Sequence, residues 1–229
     1  MADDIFREVD EGLRADRLRA LARRYALAAA AVIGVAAAGA GIWQYQAWQQ
    51  RQADRAAAAT YFAALRTADS SHIMPGETTS LTPQQHDALA RLATLDGAPA
   101  GLRTMARFQR ATLLVSSGDA AGALRLWNAI AEDSAADPLL RSLASLFWVQ
   151  HQIDHGDPAT LRSRLATLDA EGMPWRDFAM EAEALLDLRQ GHAADARRRL
   201  AQLSAEADIP EGMRSRAGGL LQTLNANPL

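Results

Sequence analysis

Around three glycines in the second half of the chain, apolar residues recur at fixed offsets. Helical runs end at Gly118-Asp119, Gly156-Asp157 and Gly191-His192, so the glycines are 38 and 35 residues apart. Counting from each, position +5 is Ala123, Leu161 and Ala196; position +9 is Trp127, Leu165 and Leu200; position +12 is Ile130, Leu168 and Leu203. Steps of four and three keep these residues on one helix face. Before each glycine, position −3 is Val115, Ile153 and Leu188, and position −7 is Ala111, Val149 and Ala184. The pattern predicts helix, turn, helix, with each glycine in the left-handed conformation that closes a helix and the next residue capping the following one. Pro138, Pro174 and Pro210 stop or start the helices between units.

A period near 35 residues with two helices per unit predicts a tetratricopeptide-like repeat. One such unit cannot bury its apolar face alone, so neighbours stack into a solenoid. Glu211–Leu224 reads as a terminal capping helix and Asn225–Leu229 as a polar tail. Upstream, Thr82-Pro83-Gln84-Gln85 has the form of a helix start, with Thr as cap, Pro in the first helical position and Gln85 completing a capping box. Asp96-Gly97-Ala98-Pro99 ends that helix, and Asp69–Thr82, rich in Ser, Thr and Pro-Gly, reads as a loop. No stretch alternates as a strand would.

A different pattern governs the N-terminal part. Ala26–Trp43 runs 18 residues without a charge, flanked by Arg23-Arg24 and Arg51. As a helix it rises about 27 Å, close to the hydrocarbon thickness of a bilayer. Tyr25 at one end, and Trp43, Tyr45 and Trp48 at the other, occupy interfacial positions. Its apolarity is modest, resting on Leu27, Val32, Ile33, Val35 and Ile42 among alanines and glycines. Competing readings are a buried helix and a signal peptide cleaved near Ala38-Gly39-Ala40. Five arginines (14, 17, 19, 23 and 24) precede the stretch and only Arg51 and Arg55 closely follow it. The positive-inside rule then expects a single pass with a cytoplasmic N-terminus. Ala30, Gly34 and Ala38, four apart, offer a small-residue face for helix pairing. Gln44–Ala68 contains no helix breaker, so the helix is expected to continue, with Tyr61, Phe62 and Leu65 as its first core residues.

Residues 1–24 mix six acids with six arginines, and Ile5, Val9 and Leu13 fall four apart. The segment reads as a short amphipathic helix or a solvated tail. The domain boundaries expected are thus 1–24 (cytoplasmic tail), 25–45 (transmembrane helix), 46–82 (helical extension and loop) and 83–229 (repeat domain with capping helix).

Composition narrows the chemistry. The net charge of −3 gives no basic field for nucleic acid. With no cysteine, thiol catalysis, disulfides and Cys-based metal sites are excluded, and with no lysine so are Schiff-base and P-loop lysines. His151 and His155, four apart with Asp154 and Asp157 nearby, form the one arrangement resembling metal ligands, but lack the Glu of a zinc-protease motif and a third strong ligand. His72, His86 and His192 are isolated. Glu181, Glu183 and Asp187 read as the wet face of a helix that also carries Leu185, Leu186 and Leu188. Arg197-Arg198-Arg199 reads as a solvated face or a dock for an acidic segment. Trp127, Phe147, Trp148, Trp175 and Phe178 sit at packing positions, with Trp148 and Trp175 also candidates for a ligand-binding groove. No catalytic, cofactor-binding or metal residue is assigned.

The repeats GDAAGALRLWNAIAEDSAADPLLRSLASLFWVQ and MPWRDFAMEAEALLDLRQGHAADARRRLAQL, after DIFREVDEGLRADRLRALARRY and one apolar stretch, resemble the ancillary SecYEG translocon subunit family (YfgM-like) and the related tetratricopeptide domains of cell-division coordinators. The sequence departs from the family in its alanine-rich stretch and in Leu161, where a small residue is usual. The resemblance implies an all-α protein of the bacterial inner membrane, with a single N-terminal transmembrane helix followed by a tetratricopeptide-like helical-hairpin solenoid in the periplasm. It implies a non-enzymatic scaffold without cofactor, whose partners are the SecYEG-type translocon and periplasmic chaperones or emerging polypeptides. The alternatives are a periplasmic repeat protein of envelope assembly or cell-division coordination, and a metal-binding envelope protein.

Overall fold

The computed structural model describes residues 2–69 and 81–226, with side chains for Tyr25 and for residues 30–68 and 81–226. Every regular element among them is helical. The first helix, α1, runs Ala2–Asp69, and the chain divides into two compact units, Met1–Ala56 and Ala57–Leu229.

In the first unit α1 presents apolar side chains that nothing covers. Val32, Ile33, Val35, Ile42 and Trp43 are each more than 60% exposed. A Cβ placed on Gly34, Gly39 or Gly41 would meet no atom. Among the described residues no helix is long and apolar enough to cross a membrane. Ala26–Ala29 lie outside the described side chains, and Ala30–Trp43 is by itself shorter than the roughly 20 residues a span needs. The side chains of Ile5, Val9 and Leu13, and the residues of the expected loop from 70 to 80 with His72, also lie outside.

The second unit begins on α1 itself, within the expected 46–82 extension. Ala57, Tyr61, Ala64 and Ala68, spaced four, three and four, face a core shared with α2 (Pro83–Ala93) and α3 (Ala100–Ser116). Ala64 and Ala68 are buried there with Ala88, Leu92, Leu95, Ala106 and Leu113. Phe62 is not a core residue: it is 59% exposed, because it lies about 100° around the helix from Tyr61. α2 starts as expected. Thr82 Oγ1 accepts from the Gln85 backbone N–H at 3.3 Å, Gln85 Oε1 accepts from the Thr82 N–H at 2.9 Å, and Pro83 follows the cap.

Six further helices follow: α4 (Ala120–Glu132), α5 (Pro138–Gln150), α6 (Pro158–Leu168), α7 (Arg176–Arg189), α8 (Ala193–Ala205) and α9 (Glu211–Ala226). Each packs on its neighbours in chain order, and α5 also touches α7. All nine residues at +5, +9 and +12 are buried, none more than 3% exposed. Ala111, Val149 and Ala184 are fully buried at −7. Val115, Ile153 and Leu188 at −3 are half-buried. The helices preceding the turns divide their faces between successive cores. On α5, Ala144 joins Trp127 and Ile130, whereas Leu146 and Val149 join Leu161 and Leu165. On α7, Ala179, Ala182 and Leu186 face α6, and Met180 and Ala184 face α8. Each leucine taken fully out of water contributes about 2 kcal/mol, so stacking neighbour on neighbour stabilises what one pair cannot. Ile209, Met213, Ala217 and Leu224 close the last core with α9.

The turns correct two expectations. Gly118 and Gly191 have φ of +84° and +79°, but Gly156 is not left-handed; among the described residues Gly172 also has a positive φ. Gly156 is small for another reason. Its N–H bonds the Gln152 carbonyl at 2.7 Å, and a Cβ there would sit 2.9 Å from that same oxygen. Asp119 and Asp157 cap α4 and α6 through the N–H groups of Gly122 and Thr160, at 2.8 and 2.9 Å. His192 makes no side-chain cap, since an imidazole does not replace a short carboxylate over the first turn.

Candidate protein-binding groove

Three helices position one groove. On α4, Arg125, Asn128 and Glu132 are spaced three and four, so they share a face. On α5 the stripe is Arg141, Ser145 and Trp148, with Gln152 just past the helix end. α6 contributes Arg164 and Thr167. Two adjoining cavities of about 400 and 540 Å³ lie along these faces and share Glu132 and Arg164.

Arg164 is the centre of the groove. Its Cζ lies 3.7 Å from the centroid of the Trp148 ring, a cation–π stack, and its Nη2 donates to Asn128 Oδ1 at 2.5 Å. Asn128 Nδ2 donates in turn to Glu132 Oε1 at 2.8 Å. Burial draws the Arg164 guanidinium below its ordinary range, with Glu132 opposing that shift. Two buried donors beside this centre have no acceptor: Arg141 Nε and Gln152 Nε2.

The pairing of arginines sets this groove apart. From α2 onward, arginines elsewhere reach a carboxylate, as Arg103 does Asp133 at 2.8 Å, or a backbone carbonyl, as Arg189 does Ile153 at 2.6 Å and Arg197 does Leu224 at 2.8 Å. Arg125 and Arg141 have neither hydrogen-bond nor ion-pair partner among the described residues, and Arg164 has no carboxylate within ion-pair distance. Trp148 therefore lines the groove. Trp175 instead packs in the α5–α7 core and donates its Nε1–H to the Leu139 carbonyl at 3.2 Å. Trp127 is buried, against Phe147 at 5.8 Å. No sequence signal marked Arg125 or Arg141, because isolated arginines on different helices look alike until the fold shows which lack partners.

The acidic residues of α7 are not a wet face. Asp187 is 1% exposed; its Oδ1 accepts from Arg162 Nη2 at 2.8 Å and its Oδ2 from Arg199 Nε at 3.0 Å. Glu183 meets Arg199 Nη1 at 2.6 Å, and Glu181 takes a bidentate contact from Arg216 at 2.9 and 3.0 Å. Burial pushes the Glu183 carboxyl above the usual range despite Arg199. The three arginines of α8 diverge accordingly: Arg199 turns inward, Arg197 bonds the Leu224 carbonyl, and only Arg198 is freely exposed, beside Asp195. A run of three spreads over about 200° of a helix, so it cannot form one surface.

A third concavity, of about 410 Å³, lies between Ile153, Phe178, Leu185 and Leu220, with the Glu181–Arg216 pair at its side. His151 is engaged locally: its Nδ1 lies 2.9 Å from the Phe147 carbonyl and its ring 4.3 Å from that of Trp127. His155 is exposed. Among the described residues no group of three or more His, Asp or Glu side chains is placed to hold a metal. In comparisons with protein families, curated proteins and solved structures, none matches the chain.

Proposed function

We propose that the chain is a non-enzymatic, membrane-anchored scaffold whose tetratricopeptide-like solenoid binds other proteins. The observation that carries this reading is the burial of all nine repeat positions at +5, +9 and +12, with each helix pair stacked on the next. Such stacks supply extended surfaces rather than enclosed reaction sites. The anchor in this reading is Ala26–Trp43, oriented with the N-terminus in the cytoplasm of a bacterial cell and the repeats in the periplasm. The uncovered Val32, Ile33, Val35 and Ile42 support it, since lipid is one environment in which a helix apolar on all sides is stable. By its resemblance, the scaffold is an ancillary subunit of the SecYEG-type translocon that links it to periplasmic chaperones. Tethering raises the effective concentration of the binding surface for emerging chains without any new contact.

Crosslinking of the full-length protein in its native membrane, followed by mass spectrometry, tests the assignment. Recovery of translocon subunits or periplasmic chaperones is the expected result. Recovery of division or envelope-assembly proteins alone would replace it with the second member of the resemblance.

A further inference from the structure

The groove between α4, α5 and α6 carries a charge the protein itself does not neutralise. Three guanidinium groups line it against one carboxylate, Glu132, which already accepts from Asn128. Two of the three, Arg125 and Arg141, hold no acceptor of their own. A guanidinium presents five donors in a planar fork suited to carboxylates; Arg125 offers its fork from an exposed position, and half-buried Arg141 keeps its Nε buried without an acceptor. The geometry suits an extended chain. Arg141 and Trp148 stand about 10 Å apart along α5, the length of three extended residues, and alternate residues of such a segment face the same side. A nucleic acid fits less well, because the Trp148 face that would stack on a base is covered by Arg164.

We propose that this groove binds an extended acidic segment of a partner protein, its carboxylates received by Arg125 and Arg141 on either side of the Arg164–Trp148 stack. The inference rests on the reading of the chain as a protein-binding scaffold and names the chemistry of what it binds. Glu132 then acts as a selectivity element that weakens the binding of the most acidic segments.

Fluorescence anisotropy with the full-length chain in detergent tests this. The probes are a labelled peptide of about ten residues alternating glutamate with serine, and the same peptide with glutamine for glutamate. The acidic peptide is expected to bind and to weaken as salt rises. Arg125→Gln and Arg141→Gln are each expected to lower its affinity about tenfold, the effect of losing one charge-assisted hydrogen bond. Glu132→Gln is expected to raise it, and Arg198→Gln, on α8 outside the groove, to leave it unchanged. Arg125 and Arg141 hold up no partner, so both variants should fold. Should one not, the other and the gain from Glu132→Gln carry the test. Equal binding of the two peptides, or no binding of the acidic one at about 1 mM, would overturn the proposal. So would unchanged affinity in the groove variants, or preferential binding of single-stranded DNA that those variants abolish. Crosslinking separates the two readings. If Arg141→Gln still yields translocon subunits, the scaffold stands without the groove. If the acidic peptide binds but no envelope partner crosslinks, the groove stands without the translocon.

Discussion

Asp187→Asn is the sharpest test of how the stacked helices are held together. Asp187 sits near the end of α7 and is 1% exposed. One oxygen meets Arg162 from α6, the other meets Arg199 from α8, and its backbone carbonyl accepts from the His192 N–H at 2.8 Å. An asparagine keeps the shape but loses the charge, and turns an amide N–H₂ toward one of two arginine donors. Breaking a buried ion pair from one side costs about 3–5 kcal/mol. Here the arginine side chains are 40% and 27% exposed, so solvent screens part of that, leaving about 2–3 kcal/mol. For a unit of this size that is a fall in Tm of about 5–10 °C. The measurement is thermal unfolding of the full-length chain followed by circular dichroism, with Asp195→Asn as control. Asp195 pairs with Arg198 at 2.9 Å, but both are largely exposed, and its loss is expected to cost under about 0.5 kcal/mol. Glu183→Gln should cost less than half as much as Asp187→Asn. Its carboxyl is held above the usual range, so the ionised form opposes folding: the stability it contributes is present when it is protonated and lost as pH rises through its folded pKa. Arg199 also keeps Asp187. If Asp187→Asn melts within 1 °C or so of Asp195→Asn, the buried cluster does not join α6, α7 and α8 as argued.

Three further outcomes are expected. His192 has φ −87°, ψ 55°, close to the −82°, 67° of Asp119, which does cap; His192→Asp should therefore raise stability by about 1 kcal/mol, seen as a higher Tm. Gly118→Ala should cost about 1–2 kcal/mol from its left-handed φ, and Gly118→Asn clearly less, so equal melting of the two variants would show that the turn relaxes. Asp157 accepts from both the N–H and the hydroxyl of Thr160, which holds its carboxyl below the usual range. Its contribution is present above the ordinary carboxylate pKa of about 4 and is lost as pH falls through the lowered folded value, so Asp157→Asn should flatten the fall of Tm below about pH 4.

Much of the helical arrangement was legible because it rests on local signals. Glycine and apolar residues at +5, +9 and +12 predict burial by helix geometry alone, and Leu161 keeps its place even though the other repeats carry alanine there. Thr82 and Gln85 show a start signal that needs no tertiary context. Charges were not legible in this way. Glu183 and Asp187 on an apolar helix look the same whether water or arginine faces them, and their partners lie on other helices, 25 residues away in the case of Arg162. Phe62 and Tyr61 are adjacent aromatics, and which one turns inward depends on where α2 and α3 lie. Gly156 looked like its two counterparts, yet is glycine to allow the close approach of the Gln152 carbonyl. The groove arginines were hidden for the complementary reason: what distinguishes Arg125 and Arg141 is a missing partner, and a missing partner has no sequence pattern.

The packing of each helix on its chain neighbours bears on how the protein opens. Low contact order favours rapid folding, and cooperativity decays along the stack rather than holding the whole as one block. α8 and α9 share one core, built on Leu200, Leu203, Met213 and Leu224, so an opening of that pair is a local event. The arginine groove belongs to α4, α5 and α6, with α3 on one flank and α7 on the other. A transient opening at the end of the chain would leave its geometry intact, and the terminal helices serve as insulation for the recess in the middle.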